Sequence, residues 1–137
     1  MARIMIVDDS NAMRLVLRTI LEGAGHEVVV EASDGKRAIV EYSRCKPDLV
    51  TMDITMPGLS GIEAIERLIR IDPAALILVV SSLGKKQVIL EALQNGAKNF
   101  ILKPFRDNQI LTVVDMVLRE YGPVKAPRQE YQSMAQA

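Results

Sequence analysis

Proline placement and a repeated change of hydrophobic period constrain this chain more than any other feature. Pro is excluded from central strands and helix interiors, and Pro47, Pro57, Pro73 and Pro104 cut the sequence into pieces. Between the cuts, apolar runs rich in β-branched residues fall at Ile4–Val7, Val28–Val30, Leu49–Met52, Leu76–Val80 and Phe100–Leu102. Most are continuous rather than alternating, as parallel strands covered on both faces require. The intervening segments keep a helical period. Met13, Leu17, Ile20 and Ala24 form one stripe, Ile62, Ile65 and Ile69 a second, and Ile89, Ala92 and Leu93 a third. Ile110, Val113, Val114, Val117, Leu118 and Tyr121 fit the amphipathic template best. A shorter helix over Lys36–Arg44 rests on Ala38, Ile39 and Tyr42, with a start at Ser33-Asp34-Gly35. Five such strands alternating with five helices predict right-handed crossovers and an α/β, doubly wound parallel sheet.

Composition narrows the functional classes. A length of 137 residues suits one domain, and 49% hydrophobic content excludes a disordered chain. Seventeen Lys plus Arg balance seventeen Asp plus Glu, which argues against binding nucleic acid or an anionic membrane through bulk charge. Cys45 is the only cysteine, so no internal disulfide or Cys-rich zinc site is expected. The longest apolar run, Ala74 to Val80, falls far short of the ~20 residues that span a bilayer. Asp8 interrupts the apolar start after Val7, which argues against a signal peptide. The expectation is a cytoplasmic protein with one domain over residues 1–121 and a flexible tail over 122–137. His26, Cys45, Met13 and Met116 are read as structural, the two methionines as core.

In a doubly wound sheet, ligands bind outside the carboxyl ends of the strands. Asp8 and Asp9 follow the first run, Asp53 the third, Ser81 and Ser82 the fourth, and Lys103 and Pro104 the fifth. The second run offers only Glu31. Carboxylates at close range raise one another's pKa values unless a cation relieves the repulsion. An all-oxygen set on an open rim suits Mg²⁺, with Mn²⁺ as a substitute. Lys103 adds a positive charge and Ser81 a hydroxyl, the groups that phosphoryl transfer needs for positioning and charge neutralisation. A carboxylate can then serve as nucleophile and form an acyl phosphate.

The segments Val7-Asp8-Asp9-Ser10, Met52-Asp53-Ile54-Thr55-Met56-Pro57-Gly58, Val80-Ser81-Ser82 and Leu102-Lys103-Pro104-Phe105 lie in order at four strand ends. Together they resemble the signature set of two-component response-regulator receiver domains. The resemblance covers about residues 3 to 121, and the single-domain chemotaxis (CheY-like) type is nearest. It implies a flavodoxin-like sheet in the order 2-1-3-4-5. It also implies that Asp53 is the phosphoacceptor, Asp9 a direct Mg²⁺ ligand, and Asp8 the carboxylate that holds a metal-bound water. Thr55 would contribute its backbone carbonyl to the metal, and Lys103, before an often cis Pro104, would pair with phosphate. Ser81 matches the switch hydroxyl and Phe100 the rotating aromatic. Thr55 and Leu83 occupy the positions that tune hydrolysis, and apolar Leu83 implies no unusually fast self-dephosphorylation.

The partners implied are a histidine kinase, an output protein on the helix 4–strand 5–helix 5 face, and a phosphatase. The chemistry implied is self-catalysed, not that of an enzyme acting on a separate substrate. Lys85, Lys86, Lys98, Lys103 and Arg106 against Glu91 predict a basic switch face that suits an acidic partner segment. A phosphorelay carrier, or a receiver from a longer transcriptional regulator, is the alternative within this reading. A phosphohydrolase of the haloacid-dehalogenase kind would need a second carboxylate, which Asp53-Ile54-Thr55 lacks. A flavodoxin would need a phosphate-holding loop where this chain has Asp8 and Asp9.

Overall fold

Three central strands are apolar on both faces, and the chain satisfies them by covering both. β1 (Arg3–Val7), β3 (Leu49–Met52) and β4 (Ile77–Ser81) are flanked by β2 (Glu27–Ala32) and β5 (Asn99–Leu102). In the computed structural model, which describes residues 1–122, all five pair in parallel in the order β2-β1-β3-β4-β5. The helices are α1 (Asn11–Gly23), α2 (Gly35–Cys45), α3 (Gly61–Ile71), α4 (Lys86–Gln94) and α5 (Asp107–Tyr121).

The alternation of side chains along each strand divides the core in two. Met5, Val7, Val50, Met52, Ile77 and Val79 pack against α2, α3 and α4 through Ala38, Tyr42, Ile65, Leu68 and Ala92. Ile4, Ile6, Leu49, Leu78, Val80 and Ile101 pack against α1 and α5 through Leu17, Leu21, Ile110, Val114 and Val117. The doubly wound expectation and the strand order are both met, and the strand bounds differ from the sequence reading by one or two residues at most.

The starts of α1, α2 and α3 lie beside the strand ends and are fixed there by side-chain caps. The Ser10 hydroxyl accepts from Met13 N at 3.1 Å, Asp34 accepts from Arg37 N at 2.8 Å, and Ser60 accepts from Glu63 N at 3.3 Å. Such a cap typically contributes ~1 kcal/mol. Gly61 opens α3 against the carbonyl of Asp53, where a Cβ would collide with that oxygen, and its N–H donates to Ile54 O at 2.9 Å. Glycine is therefore what lets α3 seat directly behind Asp53.

Four side chains depart from the expected stripes. Ala24 is exposed because it caps α1 instead of continuing it. Leu93 is 39% exposed, and the inward side of α4 is carried by Val88 and Ala92. Met116 lies on the outer side of α5 and is exposed, so it is not core. Tyr121, at the last turn of α5, is half exposed, with the Lys98 ammonium 4.9 Å from its ring centre. Residues 123–137, most of the expected tail, lie outside the described residues. Among the described residues, no helix is long and apolar enough to cross a membrane.

Candidate functional site

The chemistry-bearing residues are held by direct continuations of the sheet ladder. Asp8 N donates to Ala32 O at 3.0 Å, Asp53 N to Val7 O at 2.9 Å, and Lys103 N to Ser81 O at 3.0 Å. Each side chain therefore projects from backbone whose direction the strands already fix. Asp8, Asp9 and Asp53 each offer a carboxylate oxygen, all within 4.8 Å of one another. Asp8 and Asp53 are buried, whereas Asp9 is exposed.

Lys103 reaches across the sheet from β5. Its Nζ lies 2.8 Å from Asp8 Oδ2 and 3.5 Å from Asp53 Oδ2. In the ionised state three carboxylates meet one ammonium, which leaves a surplus of negative charge at a largely buried locus. The carboxyl of Asp53 is pushed above its ordinary range, first by burial, with the Asp8 carboxylate adding to the shift. Lys103, the Ser81 hydroxyl and the Thr55 N–H act in the opposite direction. The sequence expectation of mutual repulsion is thus correct in sign, but desolvation is the larger cause.

Backbone groups finish the arrangement. Ser10 N donates to Asp8 Oδ1 at 2.9 Å, Thr55 N to Asp53 Oδ1 at 3.2 Å, and Leu83 N to Ser81 Oγ at 3.3 Å. Ser81 is fully buried as the last residue of β4, and Phe100 is half-buried against the core beside it. The Lys103–Pro104 peptide is cis. Gly84 follows the Ser81 loop and lies beneath Leu102, whose Cδ2 would stand 2.8 Å from a Cβ at that position.

The structure brings together Asp8, Asp9, Asp53, Ser81 and Lys103, and sets Thr55 at the same mouth. It does not assemble the expected basic face in full. Lys103 turns into the site and Lys98 lies over Tyr121, so Lys85, Lys86 and Arg106 are the exposed cations of that stretch. Cys45 lies on α2 with its Sγ 4.0 Å from Glu41 Oε2.

Sequence reasoning gave Glu31 no role and passed over Arg14. The Arg14 guanidinium donates to Glu31 Oε1 at 2.9 Å, to the Asp8 carbonyl at 2.6 Å, and to Asn11 Oδ1. The available signal was the spacing of Arg14 and Arg18 on one helical face, together with the acid Glu31 near the carboxyl end of β2.

The donor set fits a hard divalent cation, since every candidate ligand is oxygen and the lysine leaves part of the charge uncompensated. Comparison with known proteins agrees with this geometry. Residues 4–115 match the response regulator receiver domain. The chain is 45% identical to the chemotaxis protein CheY of Thermotoga maritima over 115 residues, spanning 84% of this chain and 96% of that protein. It is 44% identical to the chemotaxis protein CheY of Bacillus subtilis over 116 residues, spanning 85% and 97% respectively. Among solved structures, it is similar to the CheX–CheY–BeF3–Mg²⁺ complex from Borrelia burgdorferi. That match has a TM-score of 0.83 and 35% identity, and covers 85% of this chain and 88% of the other.

Proposed function

Because this chain belongs to the response regulator receiver domain family, as a CheY-like member of the chemotaxis kind, we propose that its acidic rim takes up a phosphoryl group on Asp53. The observation that carries the reading is the meeting of carboxylates from the ends of β1 and β3 with one lysine from β5. Asp53 is the nucleophile because it is buried beside Lys103 and backed by α3. One of its oxygens forms a bond to phosphorus as the P–N bond of a kinase phosphohistidine breaks. The imidazole leaves with that electron pair and takes a proton from solvent. The chain modifies itself and turns over no separate substrate.

Asp8, Asp9, Asp53 and the backbone carbonyl of Thr55 are the residues that would hold Mg²⁺, or Mn²⁺ in its place. The cation, when bound, supplies charge neutralisation for the transferring oxygens. Lys103 exchanges its contact with Asp53 for the phosphoryl oxygens, and Ser81 donates its hydroxyl to them. The new group adds about −1.5 to −2 charge. Its pull on Ser81 opens room for Phe100 to turn inward, which shifts the face formed by α4, β5 and α5 toward its output partner. A shift from 1:99 to 99:1 requires about 5.5 kcal/mol, a scale that two charge-assisted contacts approach. The Borrelia CheY complex with BeF3, Mg²⁺ and CheX supports a phosphoryl-like group, a divalent ion and a protein partner on a related fold. A histidine kinase, an output protein and a phosphatase are the partners proposed, in the cytoplasm. Half-buried, apolar Leu83 favours a phosphate that is not lost unusually fast.

The test is intact-mass analysis after incubation with Mg²⁺ and a small acyl phosphate. The wild type gains one phosphoryl group, and chelation of the metal abolishes the gain. If Asp53→Asn gains a phosphate of comparable lability, the assignment is wrong.

A further inference from the structure

All the guanidinium nitrogens of Arg14 are engaged, and each meets a different acceptor. Nε donates to Glu31 Oε1 at 2.9 Å, Nη1 to the backbone carbonyl of Asp8 at 2.6 Å, and Nη2 to Asn11 Oδ1. The Arg14 side chain is only 14% exposed. Glu31 is anchored in turn, because β2 pairs it with Ile6 of β1 and its Oε2 accepts from Arg18 Nε at 2.7 Å. An ionic chain therefore runs from α1 through β2 and ends on the peptide that joins Asp8 to Asp9.

That peptide connects two carboxylates whose separation decides whether a divalent cation fits. The preceding Val7–Asp8 peptide is held through the Asp8 N–H, which donates to Ala32 O at 3.0 Å. The Asp8–Asp9 peptide itself is held at the Asp8 carbonyl by Arg14. With the peptides on both sides of the Asp8 Cα tethered, the direction in which exposed Asp9 leaves the chain is restrained. We infer that Arg14, oriented by Glu31, is a positioning residue that fixes the Asp8–Asp9 peptide and thereby sets the rim's affinity for a divalent cation. Groups that orient metal ligands commonly change affinity by about 10- to 100-fold when removed. The inference rests on the metal reading proposed above.

Calorimetric titration with Mg²⁺ alone, on the full chain, tests it. Arg14→Met weakens Mg²⁺ binding about tenfold, the lower end of that range, with circular dichroism unchanged. Glu31→Gln weakens it less, because Arg14 keeps the Asp8 carbonyl but loses its own tether. Arg18→Met, which leaves every Arg14 contact in place and removes only one anchor of Glu31, weakens it least of all. Arg14→Lys falls between Met and the wild type, since one ammonium cannot serve the carbonyl, the amide and the carboxylate together. In phosphorylation by a small acyl phosphate, Arg14→Met raises the Mg²⁺ concentration for half-maximal rate while the rate at saturating Mg²⁺ is retained. Unchanged affinity in Arg14→Met and Glu31→Gln, or full recovery in Arg14→Lys, overturns the positioning role. If the wild type itself takes up no Mg²⁺, the metal reading falls and this inference with it.

Discussion

The two ends of the sheet treat polar groups in opposite ways. At the amino end, several polar groups have fitted partners. Arg3 N donates to Asp48 Oδ2 at 2.8 Å, and the Arg3 guanidinium donates to the carbonyls of Cys45 and Lys46 at 2.8 and 2.9 Å. Ala2 N donates to His26 Nδ1 at 3.0 Å, and the Tyr42 hydroxyl donates to Asp72 Oδ2 at 2.7 Å. At the carboxyl end, three carboxylates share one lysine, and burial raises the pKa of the carboxyl at the centre. The same fold thus spends its stability at one end to keep reactive groups together at the other. Perturbed titration at a rim, where one lysine and a few N–H donors serve three carboxylates, points to a functional site.

Three substitutions test that contrast. The largest effect is expected at Lys103. In Lys103→Met, the buried Asp8 carboxylate loses its partner at 2.8 Å, and breaking such a pair costs about 3–5 kcal/mol. Urea unfolding without divalent ions measures the loss, and added Mg²⁺ restores part of it. Wild-type stability in this variant would remove the claim that the rim is short of positive charge.

Next is Tyr42→Phe at the opposite end. Loss of the bond to Asp72 destabilises by about 2 kcal/mol, in the range for hydrogen bonds to charged groups. Uptake of phosphate from an acyl phosphate stays at the wild-type rate. A slowed uptake would mean that the two ends are coupled rather than divided in task.

The smallest effect runs the other way. Asp53→Asn gains about 0.5–2 kcal/mol at neutral pH, as removal of strained functional groups commonly does. The sign follows from linkage. The folded-state pKa of Asp53 lies above its unfolded value, so the folded chain binds more protons as pH falls between the two. Wild-type stability therefore declines as pH rises through that window, and the advantage of Asn shrinks toward zero in acid. Thermal melts of both proteins from neutral to acidic pH show whether the curves converge.

Much of this was legible in the sequence, because parallel strands and strand-end chemistry are local signals. Leu49–Met52 is bounded as its apolar run predicts, and Asp8, Asp53 and Lys103 stand at the strand ends where a doubly wound sheet places ligands. What escaped depends on contacts between distant elements. Leu93 and Tyr121 keep the helical period but face outward, since α4 and α5 present only part of each stripe to the sheet. Arg14 and Glu31 lie 17 residues apart on different elements. Lys103 reads from the sequence as a partner for phosphate, and its contact with Asp8, 95 positions away, is not a local signal. Only the order of strands across the sheet shows that these groups meet.

The bond between Lys103 and Asp8 joins residues 95 positions apart, and β3 and β4 lie between their strands. A chain still lacking β5 has the carboxylates without the lysine. Its rim lacks the one ammonium that offsets the carboxylates. Under the proposed function, the rim is complete only once β5 is in place, so uptake of a phosphoryl group would report on the docking of a strand distant in sequence.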